Sequence, residues 1–234
     1  MPLSRVFATI LFFVIAVNVK GIQGLINGLA HGSLKTTLIS WKEPHQYIPE
    51  KEIQAIVAKG KDVVPTLIYL LSSHTFYEPL NPGYGRSPIF AAKCLSEIQD
   101  ERAIPVLFEA LGQDNFFTDE EIIKALASFG NLSKAFLITR LKSVPFSNDN
   151  EYAAIALSGF TDDSEIGFAS LEVLEKEDTL KKPLFASYLV FACSNLDKAS
   201  EQERFIAITK KKNLPKTILE EMMIVVKNWK AFRK

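Results

Sequence analysis

Residues 90–98 read FAAKCLSEI, residues 99–102 read QDER, and residues 103–111 read AIPVLFEAL. The two outer stretches place apolar residues on one side of a helix, and the polar stretch between them predicts a turn. One such pair of amphipathic helices cannot bury its apolar faces alone, so several pairs have to stack. The stretch therefore predicts an all-α protein made of repeated helix pairs.

Similar helix pairs recur along the chain. The turn residues Gln99, Gly130 and Thr161 follow one another at intervals of 31 residues. A constant period near ~30 residues in helical pairs is typical of repeat arrays. We therefore expect about five to six helix pairs over residues 48–234, arranged as an α-α superhelix, which is a helical repeat solenoid.

The chain after Pro183 continues the pattern less strictly. Phe185, Leu189 and Ala192 form one apolar stripe. The final helix, which starts at Pro215, has one apolar side and one charged side. The apolar positions are Leu219, Met222, Val226 and Trp229, and the charged ones are Lys216, Glu220, Lys227 and Lys230. A last helix with one polar face predicts a cap that closes the stack.

Helix starts are predicted at two places by capping boxes, in which Thr or Ser precedes Glu by three residues. The first is 118–121, which reads TDEE, and the second is 200–203, which reads SEQE. Each precedes a run of apolar residues at helical spacing, so each indicates where a helix begins.

Composition and charge are those of an ordinary folded protein. Of 234 residues, 47% are apolar and 23% are charged, and the 27 basic residues balance the 27 acidic ones. Removal of residues 1–21 would take away Arg5 and Lys20 and leave 25 basic against 27 acidic residues. Binding to nucleic acid rests on a basic surface that neutralises phosphates, so we expect no nucleic-acid partner.

The N-terminus resembles an export signal. Arg5 precedes residues 6–19, an apolar run broken only by Thr9 and Asn18. This run is shorter than the roughly 20 residues of a spanning helix and matches the core of a signal peptide. We predict that residues 1–21 are a signal peptide or an N-terminal membrane anchor. The alternative is the buried first helix of a cytosolic domain.

Export has consequences for location and for the rest of the chain. We expect a periplasmic or secreted protein if the signal is cleaved, and a protein tethered to the membrane through residues 6–19 if it is not.

Residues 22–47 are predicted to pack on the first repeat. Cys94 and Cys193 lie in apolar helices of different repeats, so they are expected to be buried thiols without a disulfide between them.

Motifs that carry chemistry do not occur in the sequence. The histidines His31, His45 and His74 lie outside the regular helices, and no zinc, hydrolase or phosphate-loop motif is present. The adjacent carboxylates at 100–101 and 162–163 follow turns, where acidic residues are expected as helix caps. The sequence therefore predicts no catalytic residue, no cofactor and no metal site.

The segment 73–86 is rich in proline and glycine and is predicted to be a loop. Aromatic residues and arginine are enriched at the centres of protein interfaces, and insertions in repeat arrays often bind partners. The alternative is that Phe76 and Tyr77 tuck under the loop. The next connection could extend the same edge. The candidate partner-binding residues are Phe76, Tyr77, Tyr84, Arg86, Phe116 and Phe117.

Residues 87–142 resemble the short HEAT-like repeats of bacterial proteins, which also occur in phycobilin lyases. The matching features are Ala91-Ala92 and Leu95 in the first helix, residues 100–105 at the turn, and residues 107–111 after it. The similarity extends more weakly over 48–74 and 148–176, and residues 177–234 fit only by helix pattern. The resemblance implies an α-α superhelix that binds proteins.

Two functions stay open. The first is a non-enzymatic scaffold of the HEAT-repeat type that binds another protein and is exported or tethered to the membrane. The alternative is an enzyme or enzyme subunit of the bilin-lyase-like class that uses the concave groove. The matching positions are all structural, so the resemblance assigns no lyase residue to this chain.

Overall fold

The computed structural model describes most of the chain after the predicted signal. Within the described part every regular element is a helix and no β-strand occurs, so the predicted all-α class is confirmed. The predicted signal or anchor (1–21, with its apolar run 6–19) and the segment 22–47 lie outside the described residues. The described residues are 50–78, 85–112, 116–211 and 214–232, without the side chains of 116–117 and 230–232.

Eleven α-helices are present in these ranges, joined by short turns and single 3-10 turns. The chain divides into two compact units at residues 122 and 123, within the fifth helix. The first five helices are α1 (Glu50–Val57), α2 (Val64–Ser72), α3 (Ser87–Ile98), α4 (Ala103–Glu109) and α5 (Phe116–Ser128). The others are α6 (Asn131–Lys142), α7 (Asn148–Leu157), α8 (Ser164–Leu174), α9 (Pro183–Ala192), α10 (Ala199–Ile208) and α11 (Lys216–Phe232).

The first unit is built around α2 and α3. Helix α3 packs against α1 and α2, and α2 also packs against α4. The stripes predicted from the sequence face this core, where Ile53, Leu67, Leu95 and Leu107 are buried. Leu107 has no exposed surface, so its predicted burial is confirmed.

The second unit arranges its helices in two rows. Helices α6, α8 and α10 contact one another in sequence, and α7, α9 and α11 do the same. The rows are joined by contacts of α6 with α7 and of α8 with α9. The core between them contains Leu137, Leu157, Ile166, Phe185 and Phe205, all buried. Each helix therefore packs against the helix two places further along the chain.

Four turns between paired helices each contain a residue with positive φ. Gly60, Gln99, Gly130 and Asp162 all have positive φ, between 54° and 62°. A positive φ ends one helix and lets the next one begin in a new direction. Gln99 is in the left-handed helical conformation, whereas Gly130 has a ψ of −130°. The predicted turn markers Gln99 and Gly130 are confirmed, and in the last of the four turns the residue is Asp162, one residue after the predicted Thr161.

An aspartate follows the left-handed residue in two of these turns. Asp100 accepts hydrogen bonds from the backbone and the guanidinium of Arg102, which lower the pKa of Asp100 to about 2. Asp163 accepts from the backbone N–H groups of Glu165 and Ile166 at 3.0 and 3.2 Å and so caps α8. The expected capping role is therefore confirmed for Asp163, whereas α4 begins after Arg102 without a side-chain cap and Asp100 instead holds the turn through Arg102.

Both predicted capping boxes are wrong. Helix α5 begins at Phe116, so Thr118 lies inside its first turn, where it is buried. Helix α10 begins at Ala199, and its first turn is closed instead by an ion pair of Lys198 with Glu201 at 3.0 Å. Neither hydroxyl therefore stands at the N-cap position that a capping box requires.

The chain forms its capping box at the start of α7. The Ser147 hydroxyl accepts a hydrogen bond from the backbone N–H of Asp149 at 3.2 Å, and the Ser147 N–H donates to the Asn150 side chain at 2.7 Å. The amide of the buried Asn150 also donates to the Leu141 carbonyl at 2.9 Å. Asn150 therefore joins the end of α6 to the start of α7.

Cys94 and Cys193 are free and buried, as predicted. Burial raises the pKa of Cys94 to about 12, with a further contribution from the Glu97 carboxylate, and burial also raises the pKa of Cys193. The Cys193 thiol donates to the Gly167 carbonyl at 3.7 Å. A Cβ atom on Gly167 would lie 3.2 Å from the Ala192 carbonyl oxygen, so glycine lets α8 approach the end of α9.

Candidate functional site

The predicted partner-binding edge begins with aromatic side chains at the end of α2. Phe76 closes the 3-10 turn His74–Phe76, and its ring meets that of Tyr69 edge to face, with centroids 5.7 Å apart and an 81° angle. Tyr69 is 61% exposed, whereas Phe76 is half-buried. An exposed ring held by a second ring is a preorganised contact for a partner.

Tyr77 is tied into the fold. Its hydroxyl donates to the Leu71 carbonyl at 2.8 Å, and its side chain is half-buried. Burial raises the pKa of Tyr77 to about 12, and the Asp119 carboxylate adds to this rise. Tyr77 therefore supports the turn that presents Phe76.

The start of α5 lies close to this turn. The Asp119 carboxylate is close enough to Tyr77 to add to the rise of its pKa, and it accepts a hydrogen bond from the Gly112 N–H at 3.0 Å. The start of α5 therefore lies near Tyr77. Arg86 is half-buried and precedes α3, while Tyr84 and the side chains of Phe116 and Phe117 lie outside the described residues.

Tyr69 is the residue of this edge that sequence reasoning missed. The predicted stripe of α2 was Val64, Leu67, Ile68 and Leu71, and the structure buries Leu70 while leaving Ile68 half-buried. Position 69 falls on the opposite side of the helix. A tyrosine off the core stripe of an otherwise apolar helix was the available signal.

The outer side of α9 forms a second exposed apolar surface. Leu184 and Phe191 are 59% and 50% exposed, and Tyr188 lies between them at helical spacing and is half-buried. The opposite side of the helix supplies Phe185 and Leu189 to the core, as the predicted stripe requires. Helix α9 is thus apolar on both sides, although only one side is covered within its unit.

Helix α11 packs against α9 and also exposes apolar side chains. Of the predicted stripe, Met222, Val226 and Trp229 face the core, whereas Leu219 is half-buried. Its outer side carries Met223 and Ile224, which are 54% and 52% exposed, among charged residues. The predicted cap helix therefore has an outer side that is apolar as well as charged. The exposed charged residues beside these two are Lys216, Glu220 and Lys227.

The other row of the second unit is held by ion pairs. Lys134 on α6 contacts Asp163 and Glu165 at the start of α8, at 2.9 and 2.8 Å. The guanidinium of Arg204 on α10 donates to both oxygens of Glu175, at 2.9 and 2.7 Å. These pairs satisfy charges across neighbouring helices and fix their spacing.

Further contacts reinforce the same row. Lys142 and Glu172 join the ends of α6 and α8 at 2.5 Å. The Phe168 ring lies under two cations, with the Arg204 guanidinium 5.5 Å and the Lys198 ammonium 6.0 Å from its centroid. Helices α6, α8 and α10 therefore use their charged side chains on one another.

The described part of the chain contains neither a cluster of metal-binding side chains nor a single membrane-spanning helix. There, no three His, Cys, Asp or Glu side chains are grouped to hold a metal ion. No single helix there is long and apolar enough to cross a membrane, and one bent pair, Thr118–Ser128 with Asn131–Lys142, passes by length and composition alone. Both helices of that pair bury leucines in the protein core, among them Leu126 and Leu137.

Comparison with known proteins gave no match. No family model, curated protein or solved structure is significantly similar to the chain.

Proposed function

We propose that this protein is a non-enzymatic scaffold of the HEAT-repeat type that binds another protein. The repeat-array interpretation is supported by the contacts of each helix with the one two places on, within each unit. It is further supported by a residue of positive φ in the turn within each of four successive helix pairs. A stack of helix pairs offers surfaces rather than a reaction centre, which favours a binding role.

The observation that carries the binding role is the exposed aromatic pair at the end of α2. Tyr69 is 61% exposed yet is held by Phe76, and the turn beneath is anchored by the Tyr77 hydrogen bond. Exposed tyrosines at fixed positions supply large contact areas with little loss of side-chain entropy. We infer that the partner contacts this edge.

The experiment is capture of the partner from a native envelope extract, followed by affinity measurement with the purified pair. Tyr69→Ser should weaken binding at least about tenfold, because loss of an aromatic anchor commonly costs ~2 kcal/mol or more. Leu132→Ser is the matched control, since Leu132 is 59% exposed and lies on α6. Equal affinities of Tyr69→Ser and wild type would contradict this assignment of the edge.

A substitution at Tyr77 distinguishes support of the turn from direct contact with the partner. Tyr77→Phe removes only the hydroxyl that donates to the Leu71 carbonyl, so its effect reports on the support of the turn. We expect a stability loss of about 1 kcal/mol and little change in affinity per folded molecule. A large affinity loss with unchanged stability would show that the hydroxyl itself contacts the partner.

We also propose that the protein acts outside the cytoplasm, as a periplasmic or secreted protein or one tethered through residues 6–19. The apolar run after Arg5 supports this location. A reporter fused to residues 1–47 should be exported, and Leu11→Asp with Phe12→Asp should stop export because charge opposes insertion into an apolar phase. Export that survives both substitutions would refute the signal.

A further inference from the structure

The last 25 residues of the chain are strongly basic although the chain as a whole is neutral. Residues 210–234 contain eight Lys or Arg residues and only two acidic ones, Glu220 and Glu221. The remainder of the chain is correspondingly acidic. Such charge asymmetry, confined to one terminal helix and its approach, indicates an anionic binding partner.

Helix α11, which lies within this basic segment, also exposes apolar side chains. On the outer side of α11, Met223 and Ile224 are both more than half exposed, and Lys216 and Lys227 lie within two turns of them. Glu220 shares this side and contacts Lys216 at 3.7 Å. Lys227, on the same side, makes no ion pair with any residue that the structure describes.

Helix α9 belongs to the same row of helices and also exposes apolar side chains. It packs against α11, and its outer side exposes Leu184 and Phe191. The row formed by α6, α8 and α10 instead pairs charges between its helices, through contacts such as Lys134 with Asp163. On α11, in contrast, the unpaired Lys227 lies one turn from the exposed Met223 and Ile224.

This combination distinguishes between classes of anionic partner. A nucleic acid offers phosphates but little that would cover Met223 and Ile224. The surface of an anionic bilayer offers both, since apolar side chains enter the boundary with the acyl chains while lysines reach the headgroups. Each lysine near such a surface contributes about 1 kcal/mol, and the attraction is screened by salt.

We propose that the outer side of α11, extended by Leu184 and Phe191 of α9, is a docking surface for anionic phospholipid membranes. It lies on the membrane and does not span it. This site is distinct from the apolar run 6–19 and from the aromatic edge near Tyr69. It would orient the protein on a bilayer whether or not the N-terminus stays attached.

Flotation with lipid vesicles tests the proposal on the full-length chain. Leu11→Asp and Phe12→Asp are included so that the N-terminal run does not insert. The vesicles are pure phosphatidylcholine, or phosphatidylcholine with ~30 mol % phosphatidylglycerol. We expect binding to the anionic vesicles at least about tenfold stronger than to the neutral ones, and loss of that difference in high salt.

Two sets of substitutions locate the surface. Met223→Ser with Ile224→Ser should weaken anionic-vesicle binding at least about tenfold, and Lys216→Glu with Lys227→Glu should do the same. Leu132→Ser and Lys142→Glu, both on α6, are the apolar and charge controls and should bind as the parent does. Circular dichroism and melting temperature verify that each variant is folded.

Several results would overturn the proposal. One is equal binding to neutral and anionic vesicles, and another is unchanged binding by the folded Met223→Ser, Ile224→Ser variant. A third is that soluble polyglutamate displaces the protein from vesicles while the apolar substitutions have no effect. That outcome would identify the surface as a site for an acidic protein instead.

Discussion

The two rows of helices in the second unit treat their outer surfaces in opposite ways. Along α6, α8 and α10, charged residues of one helix pair with those of the next, as Lys134 does with Asp163 and Arg204 with Glu175. Along α9 and α11, the outer surface carries Leu184, Phe191 and other apolar side chains that nothing in the unit covers. The helices of the first row therefore pair charges with one another and expose one large apolar side chain, Leu132, whereas α9 and α11 expose four.

This difference shows where to look for function in a stack of helices without a catalytic motif. A row whose charges are already paired gains little from a partner, because pairing has to be broken before new contacts form. A row with exposed apolar side chains gains the hydrophobic free energy of covering them. The aromatic edge at Tyr69 in the first unit obeys the same criterion.

The largest effect is expected from two neighbouring residues on opposite sides of α9. Phe185 is buried and Leu184 is 59% exposed. Phe185→Ala should cost about 3–5 kcal/mol of unfolding free energy, and Leu184→Ala about 0.5 kcal/mol or less. Urea unfolding measures both. Similar losses for the two variants would mean that α9 is covered on both sides, and the contrast between the rows would fail.

A smaller effect is expected at the start of α8, in the ion-paired row. Burial opposes ionisation of Asp163, yet Lys134 and two backbone N–H groups keep its pKa below the usual range. Asp163→Ala removes both the cap and the ion pair and should cost about 1–2 kcal/mol. Asp163→Asn keeps a capping oxygen and should cost less, so equal losses would contradict the role of the cap.

The change of unfolding free energy with pH tests whether the charge of Asp163 contributes to stability. Because the folded pKa of Asp163 is depressed, its contribution is complete above the unfolded pKa and is lost as the pH falls through the folded value. Asp163→Asn should therefore lose less stability than wild type between neutral and acidic pH. A parallel loss in both proteins would show that this carboxylate contributes nothing to acid unfolding.

The smallest effect is expected from the half-exposed pair of Arg204 and Glu175. Its two hydrogen bonds of 2.9 and 2.7 Å are well formed, yet solvent screens the charges. A double-mutant cycle with Arg204→Met and Glu175→Gln should give a coupling of about 1 kcal/mol or less. The exposed pair of Lys181 with Asp178 is the control and should give a coupling near zero. A larger coupling energy for Lys181 with Asp178 than for Arg204 with Glu175 would contradict the stronger pairing expected in the row of α6, α8 and α10.

Much of the fold could be predicted from the sequence because it depends on local periodicity. The stripe that contains Leu107, the turns at Gln99 and Gly130, and the buried cysteines all follow from the spacing of apolar residues, and the structure confirms them. The capping boxes failed because α5 begins two residues before Thr118 and α10 one residue before Ser200, so neither hydroxyl is at the N-cap position. The motif records which residues could cap a helix but not where the helix begins.

The exposed surfaces were harder to predict for a related reason. Helix α9 reads PLFASYLVFA and is apolar all round, so its sequence identifies the inner residues Phe185 and Leu189 without showing that Leu184 and Phe191 stay uncovered. Which side is covered depends on where α8 and α11 lie. Tyr69 was missed similarly, because its importance comes from its contact with Phe76.

The central claim is that α9 has one buried side and one open side, and thiol labelling tests it most directly. Leu184→Cys and Phe191→Cys, made separately, are compared with native Cys94 and Cys193, whose pKa values are raised by burial. At pH ~8 and low protein concentration, each introduced thiol should react at nearly the rate of a free cysteine, while the native thiols react only after denaturation. Protection of both introduced thiols to the extent of Cys193, in the folded protein, would contradict the account.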